Sequence, residues 1–148
     1  MGDRANGGTK RRTSTTVGII ILAVVLVAAA IVVVVVIRGG DKPVAYSLND
    51  TSFVISSQFG ETIALSDITG VQMQDIMPDN LQKTIGFNNG SILRGNFRSG
   101  DEQMKVYVNT SIPPFLYIET KEGLVIVNDQ SADKTQALFQ ELQDKIAS

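Results

Sequence analysis

Arg94 and Arg98 stand in a stretch, GSILRGNFRSGD from Gly90 to Asp101, that holds three glycines, two arginines and one acid. Glycine-rich backbone beside guanidinium groups is the raw material of an anion site. A phosphate loop, however, ends in Gly-Lys-Ser/Thr and opens a helix, whose N-terminal amides hold the anion. Neither feature follows here. Hairpin chemistry accounts better for Asn89-Gly90 and Ser99-Gly100, because tight turns need residues that tolerate positive φ. Arg94 and Arg98 lie four apart, so on one strand they share a face. They are the ligand-binding residues that the sequence offers.

Acidic chemistry is the second option. Asp75, Asp79 and Glu119 could serve a carboxylate hydrolase, but Met77-Pro78 breaks the element between the two aspartates, and solvated acids are the simpler reading. DQSADKTQ imitates a calcium loop through Asp129, Ser131 and Asp133. It lacks glycine at the sixth position (Lys134) and glutamate at the twelfth (Gln140), so helix capping fits better. The chain has no histidine and no cysteine. That removes the commonest general base near neutral pH, the commonest transition-metal ligands, thiol nucleophiles and disulfides. The expectation is a protein that is not an enzyme, with no catalytic, metal-binding or cofactor-binding residues and no cofactor.

Charge divides the chain. Residues 1–43 carry six basic and two acidic side chains, a net of +4, and residues 44–148 carry seven and thirteen, a net of −6. An acidic globular part argues against a nucleic-acid partner, which calls for clustered Lys and Arg.

Between these charges lies VGIIILAVVLVAAAIVVVVVI, 21 residues from Val17 to Ile37 with no polar side chain. As a helix it would span roughly 31 Å, close to the hydrocarbon thickness of a bilayer. Its Val and Ile favour strands in water. A lone strand in lipid would leave its backbone unpaired, which a helix does not. The sequence therefore predicts a basic tail over 1–16, a transmembrane helix over 17–37 and a linker over 38–44. Ala28-Ala29-Ala30 satisfies the small-x-small rule of signal cleavage, yet cutting there would leave IVVVVVI at the new terminus. Four basic residues precede the run and two follow it, which places the N-terminus in the cytoplasm and the C-terminal domain outside a cell membrane. Ala23, Ala28, Ala29 and Ala30 also offer small surfaces for pairing with other helices, as in an accessory subunit of a membrane complex.

Residues 45–148 read as one domain. Short alternations bounded by Asn, Asp and Gly predict antiparallel strands near Ala45 to Leu48, Ser52 to Ser56, Glu61 to Ala64, Gly70 to Met77, Leu93 to Phe97, Met104 to Val108, Phe115 to Thr120 and Leu124 to Asn128. In SADKTQALFQELQDKI, Leu138, Phe139, Leu142 and Ile146 form one helical stripe. Ser131 is its expected N-cap, with Asp133 in the first turn and Lys145 in the last.

The order of these elements, with GFNNGSILRGNF, VYVN, PPFLYIET, LVIVN and TQALFQEL, resembles the bacterial pleckstrin-homology-like (PH-like) domain family. The resemblance covers roughly Ala45 to Ile146. It implies a mostly β fold, a pair of nearly orthogonal antiparallel sheets capped by one C-terminal helix, here preceded by one transmembrane helix. It implies no established activity and carries over no binding residues. Eukaryotic PH domains grip inositol phosphates with basic residues near an early hairpin. Ser47 to Thr62 contains no Lys or Arg, which argues against phosphoinositide. The expected function is a single-pass, membrane-anchored binding or scaffolding module for a protein or peptide near the membrane surface, with a tethered carboxylate hydrolase or an accessory subunit as the alternatives.

Overall fold

The computed structural model describes residues 17–30 and 42–148 of the 148. The chain divides into two compact units, Met1–Gly39 and Gly40–Ser148. In the first, residues 17–30 form a helix, α1, with every side chain exposed. The predicted tail over 1–16, residues 31–37 of the predicted span and 38–41 of the linker lie outside the described residues. Among the described residues no helix is long and apolar enough to cross a membrane.

The second unit is mostly β, with two sheets and one C-terminal helix. The small sheet has the order β1 (Ala45–Leu48), β2 (Ser52–Ser56), β3 (Thr62–Ala64). A single 3-10 turn, Leu65–Asp67, leads out of it into β4 (Ile68–Gln74). The large sheet adds β5 (Gln82–Asn89), β6 (Ile92–Ser99), β7 (Glu102–Asn109), β8 (Phe115–Thr120) and β9 (Gly123–Val127), in the order β4-β8-β9-β7-β6-β5. Helix α2, Ala132–Ala147, follows.

Antiparallel pairing, expected throughout, fails at one place: β9 runs parallel to β7. After β7 the chain passes one strand position before forming β8, and the hairpin return puts β9 into the gap. Apolarity explains the choice. β9 reads Leu-Val-Ile-Val without alternation, and a central position lets it bury both faces. Val125 and Val127 enter one core cluster and Ile126 the other.

Those clusters lie on opposite faces of the large sheet, because successive strand side chains alternate. Phe53, Ile55 and Ile63 of the small sheet meet Tyr107, Leu116 and Ile118 of the large sheet and Leu138 and Leu142 of α2 in the first. Leu93, Phe97, Met104, Val106, Val108 and Phe115 build the second with Ile126. Residues 75–81 join the two edge strands β4 and β5, and their Met77 and Leu81 cover the second cluster. Tyr117 Oη donates to the Ile76 carbonyl (2.9 Å) and Ser99 Oγ to that of Asp79 (2.6 Å), fixing this connection at both ends.

β5 has no counterpart in the strands expected from sequence, and β4 ends at Gln74 rather than Met77. Asp75 to Pro78 leaves the sheet because proline removes a donor and restricts its neighbour. Gly86 and Gly95 face each other across β5 and β6 with φ of 143° and 115°. Their α-carbons approach so closely that a Cβ on Gly95 would lie 2.4 Å from the Ile85 carbonyl oxygen.

Candidate functional site

Residues 90–101 form the hairpin turns expected of Asn89-Gly90 and Ser99-Gly100. Asn89 pairs with Ile92 and Ser99 with Glu102, with Gly90 (φ 60°) and Gly100 (φ 61°) in the connections between them.

Arg94 and Arg98 sit on β6, in register with Tyr107 and Gln103 of β7. They share a sheet face but not an environment. Arg94 is 6% exposed and lines a cavity of about 150 Å³ with Pro43, Val44, Tyr107, Asn128 and Asp129. Above it, Tyr46 Oη donates to the Asn128 carbonyl (2.8 Å), with a longer contact to that of Tyr107 (3.2 Å). Burial holds the Tyr46 phenol neutral far past the usual range; Asp129 adds to that and Arg94 opposes it. Arg98 is exposed, and its Nε (3.2 Å) and Nη2 (2.9 Å) both donate to Gln82 Oε1. The fold thus divides the two arginines between a covered cavity and open surface.

The acidic candidates stay apart from both cavities described. Asp75 and Asp79 are exposed in the connection after β4, and exposed Glu119 accepts from Gln72 Nε2 at 3.4 Å. Ser131 caps α2, accepting at Oγ from Lys134 N (3.2 Å). Its partner in that turn is Thr135, fully buried, whose Oγ1 accepts from Asp129 N and donates to Ser131 O. Among the described residues no group of three or more acidic side chains could hold a metal ion.

Sequence reasoning missed the larger cleft. It opens between β3 and the large sheet, with a volume of about 190 Å³. Thr62, Ile63 and Ala64 form one wall, and residues from β6, β7 and the β8–β9 hairpin form the other. Glu61 and Lys105 make an ion pair between the two sheets. Asp67 lies at one end, held by Lys121 Nζ (3.0 Å), and exposed Glu122 lies at the rim. The Tyr107 hydroxyl donates to the Phe59 carbonyl at 2.7 Å, and burial, with the Glu61 carboxylate beside it, pushes its ionisation well above the usual range. Glu61 Oε1 is buried and accepts no hydrogen bond among the described residues. Only the position of Glu61 just after the Gly60 turn hinted at this site, and nothing linked it to Lys105, 44 residues away.

No family model matches the chain, and neither a curated protein nor a solved structure matches it.

Proposed function

We propose that the chain is a single-pass, membrane-anchored binding or scaffolding module of the PH-like class. Residues 17–37 lie in the bilayer, the N-terminus in the cytoplasm and the β-domain outside, where it recognises a protein or peptide close to the membrane surface. The observation that carries the reading is the character of α1. Ile19, Leu22 and Leu26 are 63%, 60% and 61% exposed there, on a helix with apolar side chains on all sides. Such a helix is costly in water and suits hydrocarbon, where its backbone is satisfied internally. The sequence continues apolar to Ile37, long enough for the bilayer core. A two-sheet domain then follows a short linker, offering strand edges and a cleft, which are routine surfaces for peptide recognition.

Photo-crosslinking from single positions on the β-domain of the full chain, carried out in intact membranes, tests the reading. It should yield a discrete crosslinked protein from one group of neighbouring positions. Crosslinks no different from background at every position would refute it.

A further inference from the structure

We infer that the cleft beside β3 receives an extended segment of a partner protein as a fourth strand of the small sheet, with a Lys or Arg side chain reaching into the cleft; this rests on the binding-module reading above. The backbone supplies the first argument. Ile55 N donates to Glu61 O (2.8 Å) and Leu65 N to Thr51 O (2.9 Å), which marks alternate residues of this segment as the ones bonded to β2. Antiparallel pairs alternate between bonded and non-bonded positions, so Thr62 and Ala64, opposite Val54 and Ser52, turn their N–H and C=O groups outward. β3 is an edge strand, and among the described residues the N–H and C=O of Thr62 and the N–H of Ala64 have no backbone partner, whereas the Ala64 C=O, as N-cap of the 3-10 turn Leu65–Asp67, accepts within that turn. Both residues line the cleft. An added strand would meet the donor and acceptor of Thr62 and, about 6.8 Å further on, two strand residues away, the donor of Ala64.

Size and charge define what the segment carries. The cleft's 190 Å³ falls short of the roughly 300–1,000 Å³ of small-molecule sites and suits a single side chain. Its ionisable lining is Glu61, Asp67 and Glu122 against Lys105; Lys105 pairs with Glu61 and Lys121 holds Asp67, which leaves the rim carboxylate of Glu122 as the excess charge among the described residues. Glu61 gives one oxygen to Lys105; its other oxygen is buried and, among the described residues, accepts no hydrogen bond, because the nearby Tyr107 hydroxyl gives its one proton to the Phe59 carbonyl. A cationic side chain answers the net negative lining and brings the missing N–H. Inward-pointing charge is also a common way to blunt an edge strand against pairing. Here that device leaves an acceptor unfilled, which an edge sealed for good would have no reason to do.

The test uses the full chain in lipid nanodiscs and two blocked hexapeptides, acetyl-Thr-Val-Lys-Val-Thr-Val-amide and the same sequence with Glu replacing Lys. Amide spectra should show the Lys peptide shifting Thr62 and Ala64, with the Glu peptide at least about threefold weaker, the scale of one solvent-exposed ion pair. Thr62→Pro removes an outward N–H without touching the β2 ladder and should abolish the shifts. Should that variant fail to fold, Glu122→Lys changes only an exposed rim charge and should weaken the Lys peptide by a similar factor. Absence of shifts at Thr62 and Ala64 overturns the edge, and equal binding of both peptides overturns the charge preference. The membrane crosslinks separate the two readings. A partner that still crosslinks to Thr62→Pro and Glu122→Lys chains sinks this site and keeps the module. Peptide shifts with no crosslinked partner keep the edge and sink the module.

Discussion

Gly95 carries more of the architecture than any charged residue in its stretch. It faces Gly86 at a register position where β5 and β6 approach too closely for side chains, and both adopt φ values that other residues avoid. A methyl group there would meet backbone, which has no rotamer to relax into. Gly95→Ala should therefore destabilise the domain by about 2–4 kcal/mol, combining clash and strained φ. Urea unfolding checks this, and a loss within error of zero would contradict the close approach. Residue types alone revealed the turn glycines at 90 and 100 and the Ser131 cap. Gly95 was legible only as a residue of the strand Leu93 to Phe97 and Gly86 lay outside every predicted strand, because a cross-strand encounter depends on register, which composition does not encode. The two arginines were legible as neighbours on one face; that one would be covered and the other open depended on where the small sheet ends.

At the scale of elements, strands with alternating apolar residues were readable and the two exceptions have physical causes. β5, QKTIGFNN, is an edge strand whose side chains are mostly exposed, with Ile85 at 62%, so no buried face wrote a pattern into it. β9 was readable as a strand, but its unbroken apolar run signals a central position and not a direction. The parallel placement of β9 depends on the connection after β7, and Asn128 secures that connection. Its Oδ1 accepts from Asn109 N (2.8 Å), while its Nδ2 donates to the carbonyls of Asn109 (2.8 Å) and Ile112 (2.7 Å). The side chain is buried, and its loss strands the Asn109 N–H and the Ile112 carbonyl, while the Asn109 carbonyl keeps only its bond from Ile112 N (3.1 Å). Asn128→Ala should cost about 2–4 kcal/mol, more than a typical surface substitution by a wide margin. Hydrogen exchange should show the loss first at the Asn109 amide; exchange there unchanged from the parent would contradict the assignment.

For the whole molecule, the three tyrosines report on how the two faces of the large sheet are covered, Tyr46 and Tyr107 on the side of the small sheet and Tyr117 under the 75–81 connection. Tyr46, Tyr107 and Tyr117 all have phenol ionisation shifted upward, in each case chiefly by burial. A folded-state value above the unfolded one, about 10, means that the folded chain holds its phenolic protons more tightly. The resulting stability is full below pH of about 10 and declines as pH rises above it, where the unfolded chain releases those protons. An alkaline titration should therefore show phenolate absorbance lagging behind free tyrosine and rising together with unfolding. Normal titration of all three in the folded chain would contradict the covering of both faces. The sheet arrangement that creates this burial was only partly legible, since apolar alternation shows that faces are covered and not what covers them. The 75–81 connection, without regular structure, covers one face of the large sheet, and no periodic signal announced that role.

The anchor is the claim on which the functional reading turns, and topology tests it most directly. Two reporters, one active only outside the cytoplasm and one only within it, are fused in turn after Ser148 of the full chain, and the membrane fraction is washed with alkaline carbonate before each is assayed. A membrane-anchored chain with an external β-domain should resist the wash and give activity only from the outside reporter. Release by carbonate, or activity only from the cytoplasmic reporter, would contradict it.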